Sequence, residues 1–119
     1  MKTIIAGSRN LYPTHTQIDA AVAASGFTIT EEVSGTAPGV DRCGEQWAAA
    51  REIPIASFPA NWALHGRSAG YKRNAEMAAY AEALIAFWDG KSKGTLHMID
   101  LAKKHGLQVF TVLVSDTVS

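Results

Sequence analysis

A single cysteine, Cys43, leaves the chain without the means for an intramolecular disulfide, which excludes a disulfide-stapled secreted fold. Set among alanines, that thiol reads as a small core residue rather than a nucleophile. Charge is scarce as well: charged residues make up 18% and the formal net charge is zero. That balance excludes a polycationic coat for a long polyanion, and 47% apolar residues exclude a disordered chain. No stretch approaches the ~20 apolar residues of a membrane span, and the first apolar run, 4–6, is far shorter than the apolar region of a signal peptide. A cytoplasmic protein with no membrane partner is the expectation. The histidines at 15, 65, 97 and 105 show no metal-ligand spacing with one another or with Cys43, so neither a metal site nor a cofactor is expected. Internal repeats, low-complexity tracts and linkers are lacking too, and 119 residues suit one domain, 1–119.

What is present alternates between two periods. KTIIA, 2–6, is a short apolar strand that stops at Gly7, Ser8 and Arg9. Thr14 is placed to cap a helix over 14–25, with Ile18, Ala21, Val22 and Ala24 on its apolar side and Gly26 at its end. FTITEEV, 27–33, reads as a second strand closing at Ser34 and Gly35, and 40–51 as an alanine-rich helix anchored by Trp47. IPIASF, 53–58, is a third strand whose Pro54 points to a sheet edge. PANWALHGRSAGYK lacks periodicity and reads as a long loop into a helix at about 70–80. ALIAFW, 83–88, is apolar throughout, as befits a central strand buried on both faces. A helix at 93–105 and the strand LQVFTVLV follow. Strand and helix in alternation predict an α/β Rossmann-like three-layer sandwich around a five-stranded, mainly parallel sheet of order 3-2-1-4-5.

In such a sheet ligands bind beyond the carboxyl ends of the strands, at the switch point between the first and fourth. Here those strands end in GSR and DGKSKGT. Glycines let backbone approach a ligand closely, and the helix after each loop adds free amides. Three loops converge on this edge: Gly7, Ser8 and Arg9; Ser34, Gly35, Gly39 and Asp41 within SGTAPGVD; and Asp89, Gly90, Ser92, Gly94 and Thr95. Asp41, in a first helical turn, has an equal claim as a capping acid. Arg73 and Asn74 face the crevice from a helix that starts near Gly70, the plainer alternative being a surface ion pair of Arg73 with Glu76. Of the 11 lysines and arginines, Arg9, Arg42, Arg67, Lys72, Arg73, Lys91 and Lys93 lie in or beside these segments. Basic residues gathered in a neutral protein suit a phosphorylated small molecule better than nucleic acid. Trp62 is placed either to stack on a nucleobase or to anchor its loop to the core.

Five motifs in order, GSR, SGTAPGVD, FPANW, AGYKRNAEM and LIAFWDGKSKGT, resemble the YspA-like branch of the SLOG superfamily over most of residues 3–114. The resemblance implies a small Rossmann-like domain that binds nucleotides or nucleotide-derived ligands, frequently of bacterial or phage origin. Relatives point in different directions. Lonely Guy phosphoribohydrolases, which cleave the base from a nucleoside monophosphate, share an arginine motif matched by Arg73 and the glycine and threonine matched by Gly94 and Thr95. Their catalytic glutamate position falls on Met98. Of the neighbouring acids Asp89 and Asp100, the latter lies far down the helix, which leaves Asp89 as the acid or base and Arg73 as the group that orients the ligand. Without such a group the resemblance implies a non-catalytic sensor or sequestering protein. DNA-processing protein A, a binder of single-stranded DNA, carries a signature that SGTAPGVD resembles, and molybdenum-cofactor carrier proteins share the fold. Alanine-rich helices offer a face for a second copy in a homo-oligomer.

Overall fold

The computed structural model describes residues 1–114; positions 115–119 of the expected domain lie outside the described residues. Five strands alternate with helices: β1 Lys2–Gly7, α1 His15–Ser25, β2 Glu31–Ser34, α2 Val40–Ala50, β3 Ile55–Ser57, α3 Trp62–His65, a 3-10 turn Gly66–Ser68, α4 Ala69–Tyr80, β4 Ala83–Trp88, α5 Lys93–Lys104 and β5 Gln108–Leu113. The sheet has the expected order, β3-β2-β1-β4-β5, and every neighbouring pair runs parallel.

Alternation along the two central strands builds both faces. Ile4, Ala6, Leu84 and Ala86 turn toward α4 and α5, where Met77, Ala78, Met98, Ile99 and Ala102 meet them. Ile5, Ile85 and Phe87 turn the other way, onto Ile18 and Ala21 of α1 and Val40, Trp47 and Ala48 of α2. Burial on both faces explains why β4 is apolar at every position. Trp47 also ties the two helices of its face together. Its indole N–H donates to Asp19 at 2.9 Å, while Arg51 pairs with Asp19 at 2.5 Å and lies over the Trp47 ring.

Two expectations need correction. Sheet pairing in the second strand begins at Glu31, not at residue 27, because Phe27 and Ile29 leave the sheet plane to pack against the α1–α2 core. The segment expected to be an irregular loop holds α3 and a 3-10 turn, since Asn61 Oδ1 accepts the Leu64 amide at 3.0 Å and starts a helical turn that composition alone obscures. The long helix after it starts at Ala69, which sets the angular position of Arg73. Among the described residues no helix is long and apolar enough to cross a membrane.

Candidate functional site

A crevice of about 570 Å³ opens where β1 and β4 end. Its volume falls within the ~300–1,000 Å³ typical of small-molecule sites. Gly7, Ser8 and Arg9 line it from β1, Asp41 from α2, Arg73 and Asn74 from α4, and Asp89, Ser92, Gly94 and Thr95 from the β4–α5 loop and the start of α5. Four other residues expected at the ligand do not line it. Ser34 is buried, its hydroxyl spent on Glu45 Oε2 at 2.5 Å and on the Thr36 amide at 3.0 Å. Gly35 turns its carbonyl to the Arg73 guanidinium, and a Cβ there would stand 2.8 Å from both Arg73 and Asp41. Gly39, at φ 81°, lets its loop press against the backbone of Arg9, where a Cβ would come within 2.5 Å of the carbonyl oxygen. Gly90 faces Leu113 instead of the crevice. Gly35 and Gly39 therefore back the lining residues Arg73, Asp41 and Arg9 and do not face the crevice themselves. Of the seven basic residues noted, Arg9, Arg67, Arg73 and Lys91 line the crevice, whereas Arg42 sits beside Glu45 at 3.9 Å and Lys72 and Lys93 are exposed elsewhere.

Arg73 does not turn to Glu76. Its Nη1 donates to the Gly35 carbonyl and its Nε to Asn74 Oδ1 at 2.9 Å. The Asn74 amide nitrogen lies 3.4 Å from the Gly94 carbonyl and 3.2 Å from His97 Nδ1, so α4 is tied to α5 through the side chain that holds Arg73. An amide nitrogen can only donate, which leaves the His97 proton on Nε2; burial lowers the pKa of His97, in keeping with a neutral ring. Asp41 is buried, and desolvation raises its pKa to about 6 against the opposing pull of the Ala37 amide and the Arg73 guanidinium. Its carboxylate accepts the Ala37 N–H at 3.2 Å, so it braces the β2–α2 loop as well as facing the crevice.

The β1 end contributes a different kind of group. Ser8 is 2% exposed, lines the crevice, and its hydroxyl has no hydrogen-bond partner of normal geometry, although it stands near enough to the Asp89 carboxylate to help lower that pKa. A buried hydroxyl left this way costs stability unless something else binds it. Across from it, Ser92 caps α5, accepting the Thr95 amide and sharing a 3.0 Å contact with the Thr95 hydroxyl. The first amides of α5, on Lys93 and Gly94, lie beyond the reach of the helix's own carbonyls, at the positive end of its dipole. Asp89 takes up part of the loop: Oδ1 accepts the Lys91 and Ser92 amides, each at 2.8 Å, and the Ser92 amide leads in lowering its pKa. It is therefore an ionised turn-forming carboxylate at the rim. Met98 is buried and lines the floor, and Asp100 is exposed outside the crevice. Among the described residues no group of three or more His, Cys, Asp or Glu is placed to hold a metal ion.

Sequence reasoning did not single out Gly70 and Tyr71, which line the same crevice beside Trp62. The available signal was an aromatic next to a glycine two residues before Arg73. Trp62 is 52% exposed, so it does not anchor its loop in the core.

Comparison with known proteins adds to this geometry. Gene 61 protein of Mycobacterium phage D29 is 39% identical to this chain over 83 residues, which are 65% of the chain and 66% of the phage protein, so the chain spans just under two thirds of that relative. A family model described as YspA, cpYpsA-related SLOG family matches residues 1–65, from β1 through α3, with Ser8, Arg9, Asp41 and Trp62 inside the match and Arg73, Asp89 and Thr95 beyond it. The match takes in more than half of the chain, which belongs to the YspA-related SLOG family.

Proposed function

We propose that this protein binds a nucleotide or nucleotide-derived phosphate in the crevice at the carboxyl edge of its sheet. The observation that carries the reading is Ser8, a buried hydroxyl with no hydrogen-bond partner of normal geometry, lining a crevice that also receives the start of α5 and the guanidinium of Arg73. A phosphate oxygen satisfies that hydroxyl, the first amides of α5 and the guanidinium together, which water does less well. Membership of the family supports a nucleotide-related role.

The test is thermal unfolding of the purified chain at physiological salt with AMP, other nucleoside monophosphates, ADP-ribose, NAD and a short oligonucleotide. A ligand at 100 times its dissociation constant adds about 2.7 kcal/mol to the folded state. Stabilisation by a nucleotide, lost in Arg73→Ala, is the expected result. The absence of any shift across the panel, or a shift confined to an oligonucleotide and steeply weakened by salt, overturns the reading.

Hydrolysis of the N-glycosidic bond is a second reading, supported by the ionised Asp89 at the crevice rim. A carboxylate whose pKa is lowered by two amide donors stays ionised, which suits stabilisation of positive charge on the ribose better than proton donation or strong general-base catalysis. Met98, at the floor, has no group that could take that role, and Asp41, the other carboxyl lining the crevice, is buried and braces the β2–α2 loop. Release of free base from a bound nucleoside monophosphate, abolished in Asp89→Asn, is the outcome that supports it; full turnover in that variant rules the mechanism out.

A further inference from the structure

We propose that Trp62 and Tyr71 form a base-recognition wall in this crevice, so that its ligand is a nucleoside 5′-monophosphate, an aromatic base carried on a phosphorylated ribose, in preference to a bare phosphate or a sugar phosphate. The inference rests on the phosphate-site reading above and names the ligand class of that same site.

Trp62 is 52% exposed and Tyr71 49% exposed, yet both line the concave surface that holds Ser8 and Arg73. Large aromatic faces left open to water inside a concave site are surfaces a planar ring can cover. Tyr71 is supported from its other side: the His97 ring meets it edge-on, with centroids 4.5 Å apart at 70°. His97 is in turn fixed by Asn74, the residue that orients Arg73. The aromatic wall and the anion-binding guanidinium thus share one support.

Their separation is set by Gly70. The point where a Cβ of Gly70 would stand lies 3.6 Å from the Trp62 ring and 3.7 Å from Arg73 Nη2. Ring edge and guanidinium therefore flank the same point on Gly70, which places no side chain of its own between them. A ribose bridges a gap of that kind. A free phosphate would leave the wall bare, and a base without phosphate would leave Ser8 unpartnered.

Isothermal titration of AMP, ribose 5-phosphate and adenosine into the wild-type chain, Trp62→Ala and Trp62→Phe tests this. Because stacking on an aromatic side chain is lost on alanine substitution, AMP is expected to bind about tenfold or more tightly than ribose 5-phosphate. Trp62→Ala should bring AMP down to the level of ribose 5-phosphate and leave the latter unchanged, while Trp62→Phe keeps most of the difference. Equal binding of AMP and ribose 5-phosphate by the wild type overturns the wall and leaves the phosphate site standing. Equal weakening of both in Trp62→Ala also overturns it, by showing that Trp62 only shapes the loop. Binding of neither overturns the wall together with the phosphate-site reading.

Discussion

Glu32 is fully buried beneath α2, where a Cβ on Gly44 would stand 3.2 Å from its carboxyl, and neither carboxyl oxygen has a hydrogen-bond partner of normal geometry. Desolvation, aided by Asp41 and Glu45, raises its pKa from the ordinary 4.5 to about 9. A carboxyl that holds its proton more tightly when folded makes the native state bind more protons than the unfolded chain, so stability falls as pH rises between those two values. The slope is about 1.4 kcal/mol per pH unit for one such group. Asp41 adds to the fall only up to about pH 6. Between pH 7 and 8.5 Glu32 therefore dominates this effect, and Glu32→Gln, which keeps the shape and removes the titration, should flatten the decline. Urea unfolding at a series of pH values measures it; an unchanged slope would show that Glu32 does not hold its proton. Sequence reading placed no weight on this residue, because one of two adjacent glutamates in a strand normally points to water. Here both faces of the sheet are covered, so Glu32 has no solvent to reach.

The helix starts separate stability from binding. Thr14 caps α1 through a reciprocal pair, its hydroxyl accepting the Gln17 amide at 3.1 Å and its own amide donating to Gln17 Oε1 at 2.8 Å. Ser92 caps α5 and lines the crevice. Replacing either by alanine should lower stability by about 1 kcal/mol, the usual cost of a lost N-cap. Only Ser92→Ala should also weaken nucleotide binding, since Ser92 lines the crevice and Thr14 does not. Chemical denaturation paired with titration of AMP distinguishes the two effects. Ser92 was read only as a residue of the ligand-binding loop, whereas the Thr14 cap was legible in the sequence, because a hydroxyl followed by helical periodicity is a local signal. The short helix at Trp62–His65 was not, since a single turn has too few residues to show a period.

Across the whole molecule, stability concentrates in the two central strands. Ile4, Ile5, Leu84, Ile85 and Ala86 have no solvent exposure, whereas β3 is a three-residue edge strand with exposed ends. Hydrogen exchange should reflect this: amides of Ile5 and Ile85 open only with global unfolding, and that of Ala56 opens earlier through local fraying. Exchange from all three at one rate would mean that the sheet opens as a unit. The same contrast explains the site. The crevice sits where the two most buried strands end, so Ser8 and the β4–α5 loop are held at the best-covered part of the sheet, and Trp62 lines it from a short, exposed helix.

The sequence alone determined the layers, the strand order and the edge of the sheet where the crevice lies. Apolar runs, turn residues and the alternation of periods are local properties of the chain, and the handedness of parallel crossovers does the rest. Tertiary structure decided which residues of those loops face the crevice. Ser34, Gly35 and Gly39 share a motif with Asp41, and Gly90 shares one with Thr95, yet these four do not line the crevice, because facing depends on contacts between segments far apart in sequence, such as Arg73 with Gly35. The exposed ring of Tyr71 likewise reads, in sequence, like any aromatic on a helix. Only the packing of α4 against α5, through Asn74 and His97, turns it toward the crevice where a base can rest on it.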